Sequence, residues 1–172
     1  MPNAADDLRL LTLAPEHLPG LLEVQLACYG AGFVEDRDVF ARRIVSPVGC
    51  SRVLVRGGEV LAYLAAYRSV LGKVTPLHGD FEVVEVPDTL YLHDMAVHPS
   101  LAGQGLAQRL FDALIELAHY EHLLQAALVA VQGAQGYWAR QGFAVQTLTD
   151  AAQQARMAAY GADAAYMTRT LA

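Results

Sequence analysis

Residues 90–131 leave few folds open to this chain. A run with strand character, Leu90–Val97, stops at Pro99, and a small-residue loop holding Gly103 and Gly105 follows. The loop opens into a segment whose Leu106, Leu110, Leu114 and Leu117 recur along one helical stripe, expected from about Gly105 to His119. Leu124–Val131 is then almost wholly apolar, as a strand covered on both faces must be. Strand, helix and strand in that order form a crossover between parallel neighbours. The turn also aims backbone N–H groups and the positive end of a helix dipole at one spot, which suits a pyrophosphate.

The flanking sequence continues the alternation. Leu8–Leu13 reads as a strand, and a helix starts near Pro15 with Leu18, Leu21, Leu22 and Leu26 at helical spacing, broken by Gly30 and Gly32. Asp36–Val45 predicts a second helix burying Val39, Phe40 and Ile44, closed by Pro47 and Gly49. Ser51–Arg56 and Glu59–Arg68 form a hairpin about Gly57-Gly58. Residues 69–89 make a connection of a length that is often functional. Beyond the crossover come a helix over Gln132–Gln141 ended by Gly142, a strand over Phe143–Leu148, a helix from a Thr149 cap to Tyr160, and a closing strand over Ala164–Leu171. The expectation is one α/β domain over residues 8–172, with a mixed sheet flanked by helices.

Composition narrows the function classes. The 172 residues are 54% hydrophobic and 17% charged, which suits a compact domain. The net charge of −6 argues against a nucleic-acid surface. The longest apolar stretch, Leu123–Val131, is interrupted by Gln125 and falls far short of the ~20 residues of a membrane span. The acidic start, MPNAADDLRL, does not read as a secretory signal, and Cys28 and Cys50 form neither a disulfide framework nor a metal spacing. The expectation is a cytoplasmic protein with no metal and no membrane or nucleic-acid partner; a homodimer is compatible with the sequence.

Two phosphate-binding patterns fail on the glycine turn. A P-loop needs Gly-Lys-Ser/Thr, but Gly105 is followed by Leu106 and Ala107. A dinucleotide fingerprint belongs near the first strand, and this turn follows roughly the fourth. The segment Val97-His98-Pro99 followed by Ala102-Gly103-Gln104-Gly105-Leu106-Ala107 instead resembles the coenzyme A signature of the GNAT acetyltransferases. The stretch Tyr137-Trp138-Ala139-Arg140-Gln141-Gly142-Phe143 resembles the family's later aromatic segment. The resemblance implies a GNAT-like fold with a central mixed sheet of about seven strands. It also implies acetyl-coenzyme A as cosubstrate, with its pyrophosphate on the amides of residues 103–107 and its pantetheine arm along the backbone of Met95, Ala96 and Val97. Trp138 would border the coenzyme. Ala102 stands where the family carries Arg or Gln, so a side-chain contact is absent there; Val131 and Gln132 stand where an Asn is frequent.

Acetyl transfer to an amine needs a proton acceptor, an oxyanion stabiliser and a stable leaving group. Strand alternation places Tyr91, His93, Met95 and Val97 on one face and Leu92, Asp94 and Ala96 on the other. His93 is the candidate base, since an unperturbed imidazole titrates at ~6.5; a hydrogen-bonded structural histidine is the competing reading. Family members acting on arylalkylamines have histidines at the positions matching His93 and Tyr91, and many others have Glu at the latter. Tyr91 departs from both and would at most order a water. Asp94 is expected to be structural and His98 exposed and inert. The family's usual proton donor to sulfur is a Tyr, but Trp138 stands there, and an indole does not surrender its proton. Tyr137 is the adjacent phenol, about 100° round the helix.

The acceptor would sit opposite the coenzyme. Glu35, Asp36, Asp80, Glu82, Glu85 and Asp88 are candidates to select a protonated amine, with Phe33 or Phe81 against its carbon skeleton and the helix Thr149–Tyr160 as a wall. The expected function is transfer of acetyl to a primary amine of a small molecule by direct attack. The alternatives are a non-catalytic acyl-coenzyme A-binding module, or acetylation of protein and peptide amines.

Overall fold

The computed structural model describes residues 7–30 and 34–171. Seven strands form one sheet in the order β1-β2-β3-β4-β5-β7-β6: β1 Arg9–Thr12, β2 Arg52–Arg56, β3 Glu59–Ser69, β4 Thr89–Val97, β5 Gln125–Ala130, β6 Ala144–Val145 and β7 Ala165–Thr170. Every pairing is antiparallel except β4 with β5, joined by the crossover read from the sequence. The helices are α1 Leu18–Tyr29, α2 Arg37–Val45, α3 Leu106–Tyr120, α4 Gln135–Arg140 and α5 Ala151–Ala158. No helix among the described residues is long and apolar enough to cross a membrane.

Both faces of the sheet are covered. On one, Leu106, Leu110, Phe111 and Leu114 of α3 and Trp138 of α4 pack over Leu64, Leu90, Leu92 and Leu128. On the other, Leu18, Leu21 and Val24 of α1, Phe40 of α2, and Val74, Phe81 and Tyr160 pack over Tyr63, Tyr67, Tyr91 and Ala127. The helix α1 lies close to β3 because Gly20 carries no side chain. A Cβ built there would stand 2.8 Å from both Cβ and Cγ2 of Val60. Overpacking of this kind costs about 1–3 kcal/mol, against a gain of up to ~1 kcal/mol from replacing a helical glycine with alanine. Gly20→Ala is therefore expected to lower Tm, and Gly20→Ala/Val60→Ala to recover part of that loss beyond the cost of Val60→Ala alone. Thermal unfolding of the four proteins measures the coupling.

The local expectations fare unevenly after the crossover. The helix expected over 132–141 shortens to Gln135–Arg140, because Gln132 and Gly133 both take positive φ, 52° and 76°, and form a turn. The strand expected over Phe143–Leu148 reduces to Ala144–Val145, the only stretch with a ladder partner on β7. Asp150, not Thr149, caps α5: its carboxylate accepts from the amides of Ala152 and Gln153 at 2.9 and 3.0 Å. Residues 70–88 carry neither helix nor strand, yet Val74 and Phe81 are buried.

Candidate functional site

The strands β4 and β5 pair only from Thr89–Leu92 against Gln125–Leu128. Beyond that register they part, leaving a cleft lined by Leu92, His93, Asp94, Met95 and, across it, Val129, Val131, Tyr137 and Trp138. A second cavity, shared with the first at Tyr29, His93, Asp94, Val129 and Val131, continues on the α1 side beneath Leu77 and Tyr160. A third, meeting the cleft at Tyr137, lies along Ala102, Gly103, Gly105, Leu106 and Ala107. The three lie in succession between the glycine loop and His93, each sharing lining residues with the next.

The loop is built by two glycines in left-handed conformation, Gly103 at φ 80° and Gly105 at φ 78°. A Cβ at either would meet nothing within 4 Å, so their backbone twist and not crowding makes them glycines. Gly105 is the N-cap of α3 and provides no side-chain cap, so the first-turn amides of Leu106 and Ala107 face the open side of the loop together with the positive helix end. This arrangement fits a diphosphate. Gly105→Ala forces a side chain into a conformation costing roughly 1–2 kcal/mol, so coenzyme affinity, read by calorimetry, is expected to fall about tenfold.

The backbone carbonyls of Met95 and Val97 accept from neighbouring side chains: the Tyr29 hydroxyl at 2.6 Å and the Cys28 thiol at 3.0 Å. A carbonyl has two lone pairs, so each keeps capacity for a further donor. Ala96 is buried against the α1 face. Gln104 is exposed.

The face assignment along β4 changes at a β-bulge. Ala65 pairs with Asp94 and Ala66 with Leu92, so His93 is the extra residue. Before the bulge Leu90 and Leu92 face α3 while Tyr91 faces α1; after it Met95 and Val97 face α3, while Ala96 faces α1. Simple alternation fails by one residue: Asp94 shares the α1 side with Tyr91 and Tyr63, and Met95 and Val97 lie opposite Tyr91. His93 and Asp94 both border the two central cavities.

The His93 ring is held by a buried carboxylate. Its Nε2 lies 2.9 Å from Oε1 of Glu35, with both side chains under 4% exposed. Glu35 in turn takes two bonds from Arg43, Nη1 at 2.7 Å and Nη2 at 2.6 Å, and one from the backbone amide of His78 at 2.8 Å. Gln25 fastens the Glu35 backbone on both sides at 2.9 Å. Burial alone would raise the Glu35 pKa, but the Arg43 and His93 hydrogen bonds hold it well below the usual carboxylate range. Glu35 is therefore ionised and accepts from Nε2–H of His93, a tautomer that in the neutral imidazole puts the lone pair on Nδ1. The expectation that Glu35 selects an amine is corrected: its oxygens are taken.

Asp94 is the other carboxyl. Tyr63 donates to its Oδ2 at 2.6 Å, and burial pushes its pKa up against the opposing pull of His93 and Tyr63. The reading of Asp94 as a residue turned away from the site is overturned by the bulge.

Tyr91 is buried, and its hydroxyl accepts weakly from the Thr75 amide at 3.4 Å. Tyr137 is half-buried at the junction of cleft and glycine loop. Trp138 packs against Phe111 and Phe143, at 6.1 and 5.5 Å between ring centroids, with one edge on the cleft. The indole is principally core. Tyr29 and Arg43 are site residues that the sequence reading missed, each from a segment distant from the glycine motif, while Tyr160 ends the segment expected as a wall.

The other acidic candidates lie elsewhere. Asp80 pairs with Arg42, Glu82 with Arg156 and Lys73, and Asp88 accepts from Thr89 and Gln125; Asp36 precedes α2 as its N-cap residue and Glu85 is exposed. Phe81 stacks on Tyr67 at 4.2 Å and lies beneath the Arg43 guanidinium, so it supports the site from behind. Phe33 lies outside the described residues. His98 holds the amide and hydroxyl of Ser100 through Nδ1. Among the described residues, no group of histidine, cysteine and carboxylate side chains is arranged to hold a metal.

Comparison with known proteins agrees with this geometry. The ribosomal-protein-S18-alanine N-acetyltransferase of Escherichia coli superimposes with a TM-score of 0.70 at 18% identity, covering 96% of this chain and 95% of that one. A PaiA N-acetyltransferase of Thermoplasma acidophilum, solved with coenzyme A, gives 0.69 at 11% identity over 95% and 99%. N-acetylglutamate synthase of Neisseria gonorrhoeae, solved with coenzyme A and N-acetyl-glutamate, gives 0.72 at 14% identity over 96% of this chain and 35% of that one. At such identities the likeness establishes the fold. No curated protein matches the sequence. The model of the acetyltransferase (GNAT) family matches residues 18–143, most of the chain and both motif segments. With the parted strands, the glycine loop and the helix it caps, that match makes this chain a member of the GNAT acetyltransferase family.

Proposed function

We propose that the protein transfers the acetyl group of acetyl-coenzyme A to a primary amine of a small molecule, in a ternary complex and without a covalent enzyme intermediate. The supporting observation is the succession of three cavities with shared lining residues, from the glycine loop, past Met95, to a chamber where His93 and Asp94 meet. In this reading the amides of residues 103–107 hold the pyrophosphate, the β4 edge from Met95 to Val97 receives the pantetheine arm, and Tyr137 flanks it.

The amine nitrogen attacks the thioester carbonyl carbon, the carbon–sulfur bond breaks and the coenzyme leaves as its thiolate. The amine proton passes to Nδ1 of His93, whose opposite nitrogen is fixed on Glu35. A thiol of pKa ~8.5 departs tolerably as an anion, so no side chain need protonate it.

Thiol release from acetyl-coenzyme A over a panel of primary amines, amino acids and peptides tests the proposal, with calorimetry for the coenzyme alone. Turnover on small amines is the expected result. Coenzyme binding without release on any acceptor would make the protein a binding module, and turnover confined to peptides would assign it to protein acetylation.

A further inference from the structure

The chamber beyond His93 has an unbalanced charge. Glu35, His93 and Asp94 are the ionisable acids and bases on its wall, with three tyrosine hydroxyls and the apolar Leu77, Val129 and Val131; none of the described lining residues is lysine or arginine. Arg43, the nearest guanidinium in the site, stands behind Glu35 and spends its donors on that carboxylate and on the Gly79 carbonyl at 2.8 Å. The Arg43–Glu35 pair is neutral as a unit. That leaves Asp94, turned into the chamber by the bulge at His93, as the carboxyl with no lysine or arginine beside it, its hydrogen-bond donor being the neutral Tyr63 hydroxyl.

We infer that Asp94 is the docking group for the acceptor's ammonium, and that the acceptor is a small monoamine bearing no carboxylate beside its nitrogen. The inference rests on the transferase reading above. An ammonium next to Asp94 returns the stabilisation that burial removes from the carboxylate, whereas an amino acid brings a second anion into the same low-dielectric space with no lysine or arginine on the lining to receive it. Size points the same way. The chamber holds about 50 Å³, much the smaller of the two cavities that meet at His93. Its roof is fastened down by the Tyr160 hydroxyl on the Thr75 carbonyl at 2.6 Å and by Arg156 on Val74 and Glu82. A short apolar chain against Leu77, Val129 and Val131 fills it.

Three acceptors of matched skeleton test this with saturating acetyl-coenzyme A: propylamine, 2-aminobutanamide and 2-aminobutanoate. The expected order of kcat/KM is amine, then amide, then acid, with amine and acid at least tenfold apart. The neutral amide separates the effect of charge from that of bulk. Asp94→Asn keeps the shape and an acceptor for Tyr63, so the variant is expected to fold with an unchanged or higher Tm and unchanged affinity for acetyl-coenzyme A. Its KM for propylamine should rise at least tenfold while kcat moves less, and its preference over 2-aminobutanoate should shrink. Equal or better turnover of the acid by the wild type overturns the inference and leaves the transferase reading standing. So does an unchanged KM in Asp94→Asn. No thiol release with any acceptor, despite coenzyme binding, overturns both.

Discussion

Arg43→Met is expected to destabilise the protein by about 3–5 kcal/mol, the usual cost of stripping one partner from a buried ion pair. For a chain of this length that is a fall in Tm of roughly 6–20 °C. Arg43 and Glu35 are each 2% exposed, and the guanidinium also holds Gly79, so its loss leaves a carboxylate in the interior with only His93 and the His78 amide as donors. The double variant Arg43→Met/Glu35→Gln should regain much of the loss, because it removes the stranded charge as well. The pH dependence has a definite sign. The Glu35 pKa is lowered on folding, so the pair's contribution is fully present above the ordinary carboxylate range and is lost as pH falls through and below it. The gap in Tm between wild type and Arg43→Met should therefore be widest near neutrality and narrow toward pH 3. A constant gap would show that the ion pair is not its source.

His93→Ala should lower kcat about 10²–10⁴-fold with little change in coenzyme affinity, the range for losing a positioned base. If the ring accepts the amine proton as proposed, the residual rate of the variant should differ from the wild type in its pH profile on the acid side. An unchanged acid limb in His93→Ala would remove the ring from the proton transfer and leave Asp94 to carry it. Glu35→Gln offers an intermediate case: the amide still accepts from Nε2 but leaves the buried Arg43 guanidinium without its counterion, so Tm as well as kcat should fall.

The parts of the site legible in the sequence are local ones. Gly103 and Gly105 sit between a strand-ending proline and a leucine stripe, and backbone geometry at such a turn depends on the glycines themselves. The apolar run at Leu124 reads as a fully covered strand because its burial on two faces leaves no alternation to see. The hairpin at Gly57-Gly58, both at positive φ, is equally local. The acidic residues of the α1–α2 and 70–88 segments were visible as charges but not as pairs. Arg43 and Glu35 meet because α2 and the loop before it fold over the same stretch of sheet, and nothing in their spacing of 8 marks them apart from Arg42 and Asp80 on the surface.

The family model and the sequence motifs agree on the coenzyme end of the molecule, and the acceptor end is where the two kinds of information part. Residue types, periodicity and the glycine turn determined the order of elements, the parallel crossover and the loop with its open amides, since each follows from interactions within a few residues. Tertiary structure alone decided which way His93 and Asp94 face. A bulge is set by the register of one strand against another, and a one-residue slip inverts every later side chain. It also decided that Glu35 is an internal counterion, because a carboxylate buried beside a guanidinium gains its meaning from a partner that the chain supplies only once it has packed.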